Sequence, residues 1–199
     1  MTTAILDRDG TLIDFVRDHG MGVVTPAFHP EQVRLLPGVV EGLHALQAAG
    51  FTLAIATNQP GAAKGEIPRE AIERTNAALL DRLRSEGIAI ATMRACLHHP
   101  EGGDGGTPDL VQICDCRKPA PGMLQSIMSE LGAEPATTWM VGDTASDMAA
   151  AAAAGVSSAL LMRRGRCELC IFGDGEPYGT APTLIAGRFD EVAAAIVDF

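Results

Sequence analysis

Lysine is nearly absent from this chain. Of its 15 basic residues only Lys64 and Lys118 are lysines, and where arginine is the default cation each surviving lysine is a candidate for chemistry that needs a compact ammonium. Positive charge as a whole is also short. The 25 acidic residues leave a formal net charge of −10 and a pI near 4.8, which excludes nucleic acid and anionic membranes as general partners, since both are bound chiefly through Lys and Arg. A phosphate-bearing ligand must therefore meet a local patch of positive charge. Long apolar runs are missing too: apolar residues make up 47% of the sequence, yet none of its runs approaches the roughly 18 uninterrupted apolar residues of a membrane span. The opening MTTAILDRDG lacks the basic-then-apolar start of a signal peptide. The expectation is a soluble, cytoplasmic protein with one domain over residues 1–199.

What is present is alternation. AILD (4–7), FTLAIATN (51–58), TMRACL (92–97), TTWMVGD (137–143), SSALLMR (157–163) and TLIAG (183–187) read as strands. Helical spacing covers 39–50, 69–86, 122–131, 146–155 and 189–199, with Gly50 at a C-cap position and Pro68 near a helix start. The order predicts an α/β fold: a doubly wound, Rossmann-like, mostly parallel sheet with helices on both faces. Between Thr11 and Phe51 there is room for a loop and one helix, so no large cap domain is expected. Two stretches are irregular, 98–121 and 164–182.

In such a sheet, ligands collect at the carboxyl ends of the strands. Asp7, Asn58 and Asp143 fall at predicted strand ends, which brings three sequence-distant polar positions to one rim. Asp7 and Asp9 share a single turn, and two carboxylates that close repel unless a cation or a shared proton compensates them. Mg²⁺ suits the set, because it takes a few carboxylate or carbonyl oxygens, keeps waters and completes its shell from a phosphate; Asp143 supplies a third carboxylate. An Asp beside such an ion is a competent nucleophile towards phosphorus. A second Asp two residues on is placed to pass a proton to the leaving group. Each position also has a plainer reading: helix or turn caps for the aspartates, a simple turn for Thr57-Asn58, a surface lysine for Lys118. Asp147 serves equally as a cap or a metal neighbour.

Four ordered segments, Asp-Arg-Asp-Gly-Thr-Leu from Asp7, Thr57-Asn58, Arg117-Lys118-Pro119 and Gly142-Asp143-Thr144-Ala145-Ser146-Asp147, resemble the motifs of the haloacid-dehalogenase-like phosphatases over about residues 4–163. The resemblance implies phosphomonoester hydrolysis through an aspartyl-phosphate. Asp7 is then the nucleophile and Asp9 the acid and base; Thr57, Asn58 and Lys118 hold the phosphoryl oxygens; and Mg²⁺ bridges Asp7, the Asp9 carbonyl and Asp143. Arg117 is expected to contact substrate beyond the transferred group, as a guanidinium suits bidentate phosphate recognition. Lys64, in a loop similar to the family's substrate-facing loop, is either a substrate contact or a solvated side chain. A non-catalytic binding module on the same fold is the contrasting class, and the cluster of like charges weighs against it.

Cys96, His98, Cys114 and Cys116 offer three thiolates and one imidazole, the donor set of a structural Zn²⁺ site, across a loop of about 96–116. His99 is an alternative to His98, and a metal-free or disulfide-bonded arrangement is the alternative to zinc. Cys-x-His followed by Cys-x-Cys-Arg-Lys-Pro is similar to the zinc loop of the branch that contains heptose-bisphosphate and histidinol-phosphate phosphatases, where the position of His98 is the one used. Tethering Cys116 would fix the backbone just before Arg117 and Lys118. The branch implies a sugar-phosphate substrate, with D-glycero-D-manno-heptose 1,7-bisphosphate favoured, histidinol phosphate second and another sugar phosphate also open. Asp18-His19-Gly20 matches an element of the heptose members but stands farther along the chain. Cys167 and Cys170, in CELC, have no counterpart there and read as two thiols in a loop, a second metal site or a disulfide.

Overall fold

The computed structural model describes residues 1–20, 22–162 and 181–199. The elements in chain order are β1 (Thr3–Leu6), β2 (Val16–Asp18), β3 (Val23–Thr25), α1 (Val39–Ala48), β4 (Thr52–Asn58), α2 (Gly61–Lys64), α3 (Arg69–Ser85), β5 (Ile90–Cys96), α4 (Gly122–Leu131), β6 (Thr138–Gly142), α5 (Ala145–Ala154), β7 (Ser157–Leu161), β8 (Leu184–Ala186) and α6 (Phe189–Val197). Every strand and helix expected from the sequence is there, with ends moved by a residue or two. The irregular reading of 164–182, with Cys167 and Cys170, lies almost wholly outside the described residues.

Six strands form one sheet in the order β5-β4-β1-β6-β7-β8, and each pairing is parallel. The central strands are apolar on both faces, as a sheet covered on both sides requires. Because successive side chains point to opposite faces, each strand feeds two cores. Ala4 and Leu6 of β1, Leu53 and Ile55 of β4, and Trp139 and Val141 of β6 join one core with Leu43 and Leu46 of α1, Leu79 of α3 and Val192 of α6. Ile5, Ala54, Ala56 and Met140 join the other, against Met123, Leu124 and Ile127 of α4 and Ala150 and Ala151 of α5.

Chain direction reverses its march across the sheet at β1, which lies between β4 and β6. The loops leaving β1 and β6 therefore part over adjacent strand ends, the crevice where parallel sheets bind ligands. Two elements were not expected. The segment between Thr11 and α1 folds partly into the antiparallel β2-β3 ribbon, and the Gly-containing loop after β4 contains the single turn α2. Both are too short for periodicity to reveal.

Helices α1 and α6 pack closely on the first core. A Cβ at Gly42 would stand 2.6 Å from the Phe189 ring and 3.1 Å from Ala193 Cβ, so a side chain there would push α6 off the sheet. Phe189, 1% exposed, fills the space that Gly42 leaves. Phe189→Ala is expected to lower the free energy of unfolding by about 3–5 kcal/mol, read from the urea midpoint at unchanged slope; a loss below about 1 kcal/mol would show that this contact does not anchor α6.

Candidate active site

The turn after β1 carries the first two carboxylates. Asp7 N–H donates to the Val141 carbonyl at 2.8 Å, which prolongs the β1-β6 pairing by one bond and aims the next residues over the sheet edge. Gly10 makes the tight return possible. Its φ is +82°, and a Cβ there would collide with the Asp143 carboxylate and reach 2.8 Å from the Phe15 ring, so the residue must both adopt a left-handed backbone and lack a side chain.

Lys118 lies at the centre, 3% exposed. Its Nζ is 2.7 Å from Asp7 Oδ1, 2.5 Å from Asp147 Oδ1 and 2.8 Å from the Ala56 carbonyl. Asp7 and the Ala56 carbonyl accept hydrogen bonds from it, and Asp147 faces it as an ion pair. Burial opposes the charge, but Asp147 and Asp7 overcome it and hold the ammonium above the ordinary lysine range. Burial pushes Asp7 up to about 7; Lys118 pulls against that shift, and Asp147 and Asp9 add to it. The sequence reading gave Lys118 to the phosphoryl oxygens; here it lines the cavity and also sits between two buried carboxylates, which its charge lets coexist.

Asp7, Asp143 and Asp147 place carboxylate oxygens within 4.8 Å of one another, a donor set that fits a hard divalent cation. Asp147 is the less available of the three. Its Oδ2 accepts from Thr144 N at 3.0 Å and Thr144 Oγ1 at 2.6 Å, capping α5, while its Oδ1 faces Lys118. Of the two readings that its sequence position left open, the geometry shows the cap, and it places that cap within the carboxylate cluster.

Asp9 is held separately. Arg8, fully buried, donates from Nε to Asp9 Oδ2 at 2.9 Å and from Nη2 to Oδ1 at 3.1 Å; Nη2 also donates to the Ala27 carbonyl, and Nη1 donates to Asn76 of α3. Gln59 Nε2 donates to Asp9 Oδ2 at 2.6 Å and to Thr57 Oγ1 at 2.9 Å. Sequence reasoning missed both Arg8 and Gln59. Only their adjacency to Asp7, Asp9 and Asn58 marked them, and nothing in residue type separated them from ordinary neighbours. Asn58, expected to hold phosphate, uses its side chain otherwise: Nδ2 donates to the Lys118 carbonyl at 2.9 Å and Oδ1 accepts from Lys118 N at 3.1 Å. It orients the segment that delivers Lys118.

These groups surround a cavity of about 340 Å³ lined by Asp7, Asp9, Thr57, Asn58, Arg117, Lys118 and Asp147, with Phe15 and Pro26 as its apolar wall. Arg117 also donates to the His98 carbonyl at 3.4 Å. Lys64 is not among the lining residues and stands 3.9 Å from Glu66. Asp18-His19-Gly20 forms the end of β2 and its turn, where Asp18 Oδ1 accepts from Gly20 N at 2.9 Å; it does not line the cavity either.

Beside the cavity the four expected sulfur and nitrogen ligands meet. Cys116 Sγ lies 3.3 Å from Cys96 Sγ, 3.4 Å from Cys114 Sγ and 3.3 Å from His98 Nδ1; Cys96 Sγ lies 3.6 Å from Cys114 Sγ and 3.7 Å from His98 Nδ1. A tetrahedral ion with zinc-like bond lengths has ligand-to-ligand edges of roughly 3.5–3.8 Å, so the set is already drawn to that size. The three cysteines are free thiols rather than disulfides. Burial pushes the Cys96 and Cys116 thiols up, a preference that a cation among them would reverse. His99 faces away, its Nδ1 accepting from Glu101 N at 3.3 Å, which leaves His98 as the imidazole of the cluster.

Comparison with known proteins agrees with this geometry. Residues 115–191 match the HAD-hydrolase-like family model. The chain is 36% identical over 161 residues to the D-glycero-β-D-manno-heptose-1,7-bisphosphate 7-phosphatase of Salmonella typhi, covering 81% of this chain and 80% of that one. The enzyme of the same name from Rhodopseudomonas palustris is 36% identical over 154 residues, 77% of this chain and 79% of that one. Among solved structures, D,D-heptose 1,7-bisphosphate phosphatase from B. bronchiseptica, complexed with magnesium and phosphate, superposes with a TM-score of 0.74 at 27% identity over 100% of this chain and 99% of the other. With strand-end carboxylates around one buried lysine and relatives of this similarity over four fifths of its length, the chain belongs to the haloacid-dehalogenase-like phosphatases.

Proposed function

We propose that the chain is a Mg²⁺-dependent phosphatase that removes the 7-phosphate of D-glycero-β-D-manno-heptose 1,7-bisphosphate, with Zn²⁺ in the Cys96, His98, Cys114 and Cys116 cluster. The observation that carries the reading is Lys118 Nζ between Asp7 and Asp147, with Asp143 in the same cluster, under a cavity that also exposes Asp9, Thr57 and Arg117. A binding module has no use for such a costly arrangement. The substrate rests on the relatives' names and on an open site with no large cap among the described residues, which admits an extended sugar phosphate. Reduced thiols in the cluster suit a cytoplasmic setting.

Mg²⁺ held by Asp7, Asp143 and the Asp9 carbonyl would neutralise phosphoryl charge that otherwise repels a carboxylate. Asp7 attacks phosphorus as the bond to the sugar oxygen breaks, and Asp9 gives that oxygen a proton. Asp9 then takes a proton from water, whose oxygen displaces phosphate from the aspartyl ester and restores Asp7. Thr57 Oγ1 already accepts from Gln59, so its own hydrogen is left to donate to a phosphoryl oxygen. Lys118 keeps positive charge beside the nucleophile as the phosphate dianion arrives, while Asn58 holds the Lys118 backbone. Arg117 recognises the distal phosphate. Zinc at Cys116 would fix the backbone from which Arg117 and Lys118 project.

Asp7→Asn should reduce Mg²⁺-dependent phosphate release to background while circular dichroism stays that of the wild type; retained turnover would reject the nucleophile. Across a panel of heptose bisphosphate, histidinol phosphate and simple hexose phosphates, kcat/KM should be highest for the heptose, and a preference for histidinol phosphate would transfer the assignment to that substrate. Metal analysis of the purified chain should find one zinc per chain, lost in Cys116→Ser together with several degrees of Tm. Equal zinc content in the two proteins would remove zinc from the cluster.

A further inference from the structure

Gln59 is 2% exposed, and its side chain bridges two groups that serve different parts of the reaction. The amide nitrogen donates at once to Asp9 Oδ2 at 2.6 Å and to Thr57 Oγ1 at 2.9 Å. Its backbone N–H donates to the Cys96 carbonyl at 2.7 Å, so the base of the side chain is anchored to the end of β5. A buried carboxamide that offers both of its N–H groups to two active-site oxygens, from a backbone itself tied down, is more than packing.

We propose that Gln59 is a positioning residue that, together with Arg8, sets which oxygen of Asp9 carries the transferable proton. The inference rests on the acid role of Asp9 in the proposed phosphatase reaction. The two Asp9 oxygens are unequally served: Oδ2 accepts from Arg8 Nε at 2.9 Å as well as from Gln59, whereas Oδ1 accepts only the longer bond from Arg8 Nη2 at 3.1 Å. Donors crowd Oδ2 and leave no room for a proton there, so the acid form carries its hydrogen on Oδ1. As the bond from Asp7 to phosphorus forms and the bond from phosphorus to the alkoxide oxygen breaks, that hydrogen passes from Oδ1 to the alkoxide, and the carboxylate left behind has Arg8 and Gln59 to stabilise it. The same amide fixes the Thr57 oxygen as an acceptor and turns its hydrogen outward. Arg8 itself leans towards Oδ2, which Nη2 also approaches at 2.9 Å; Gln59 adds the shortest bond to that oxygen, 2.6 Å, and ties it to Thr57.

The distinguishing property is dependence on the leaving group. An alkoxide needs a proton, whereas 4-nitrophenolate leaves without one. kcat/KM runs only as far as phosphorylation of Asp7, so the later hydrolysis step does not enter. In Gln59→Met, which keeps the length and volume of the side chain without its donors, kcat/KM for the heptose bisphosphate should fall about 30-fold or more, a share of the roughly 10²–10⁴ that a positioned acid supplies. For 4-nitrophenyl phosphate it should fall less than about 5-fold, the part carried by Thr57. Gln59→Asn keeps an amide one carbon too short to span both oxygens and should show the same split at smaller amplitude, which retains the test if the Met variant folds poorly. A ratio of the two kcat/KM values unchanged from wild type in both variants, whether both substrates fall equally or neither falls, would overturn the assignment. Wild-type protein inactive on both substrates, or Asp7→Asn active on them, would instead overturn the phosphatase reading on which it stands.

Discussion

One buried ammonium makes the rest of the site possible. Asp7 and Asp147 are nearly inaccessible to water, and without a cation between them their mutual repulsion in a low-dielectric setting would drive one to bind a proton. Lys118 meets that demand with one positive charge set against both. The arrangement is stable only while each partner is present, since removing one member of a buried charge cluster typically costs roughly 3–5 kcal/mol. It also leaves Asp7 poised, raised by burial and restrained by Lys118, so that a divalent cation beside it has a large effect on whether it is ionised.

Such a lysine has to be delivered accurately from a long loop, and three devices do so. Asn58 at the end of β4 clasps the Lys118 backbone from both sides. The sulfur and imidazole cluster gathers Cys116 two residues before it against Cys96 at the end of β5. Helix α4 begins at Gly122, where the Gly122 N–H donates to the Asp115 carbonyl at 2.9 Å. The loop therefore behaves as a short, tied extension of the sheet edge, although it contains little regular structure.

A second consequence of burial is that Asp9, the proposed acid and base, is held by the side chains of Arg8 and Gln59. Arg8 runs from Asp9 to α3 and to the Ala27 carbonyl, and Gln59 runs from Asp9 to Thr57. The groups assigned to nucleophile, proton transfer and phosphate contact thus belong to one hydrogen-bonded body spanning β1, β4 and the Lys118 loop. Phe15 and Pro26 bring an apolar wall to it from the segments flanking the β2-β3 ribbon.

Much of this was legible in the chain alone. Apolar runs of strand length alternating with helical periodicity imposed a parallel sheet, and a parallel sheet must open its ligand crevice at the carboxyl ends of its strands, so Asp7, Asn58 and Asp143 were bound to share a rim. That Cys96, His98, Cys114 and Cys116 would meet was equally readable, because three thiols and one imidazole at these spacings make a tetrahedral donor set. Tertiary structure decided the division of labour. That Asn58 clasps the Lys118 backbone, that Lys118 lies between Asp7 and Asp147, that Asp147 belongs to the carboxylate cluster, and that Gln59 joins Asp9 to Thr57 are facts of side-chain direction and distance between segments far apart in sequence; no local pattern encodes them, since a hydrogen bond is set by where two groups meet and not by what each of them is.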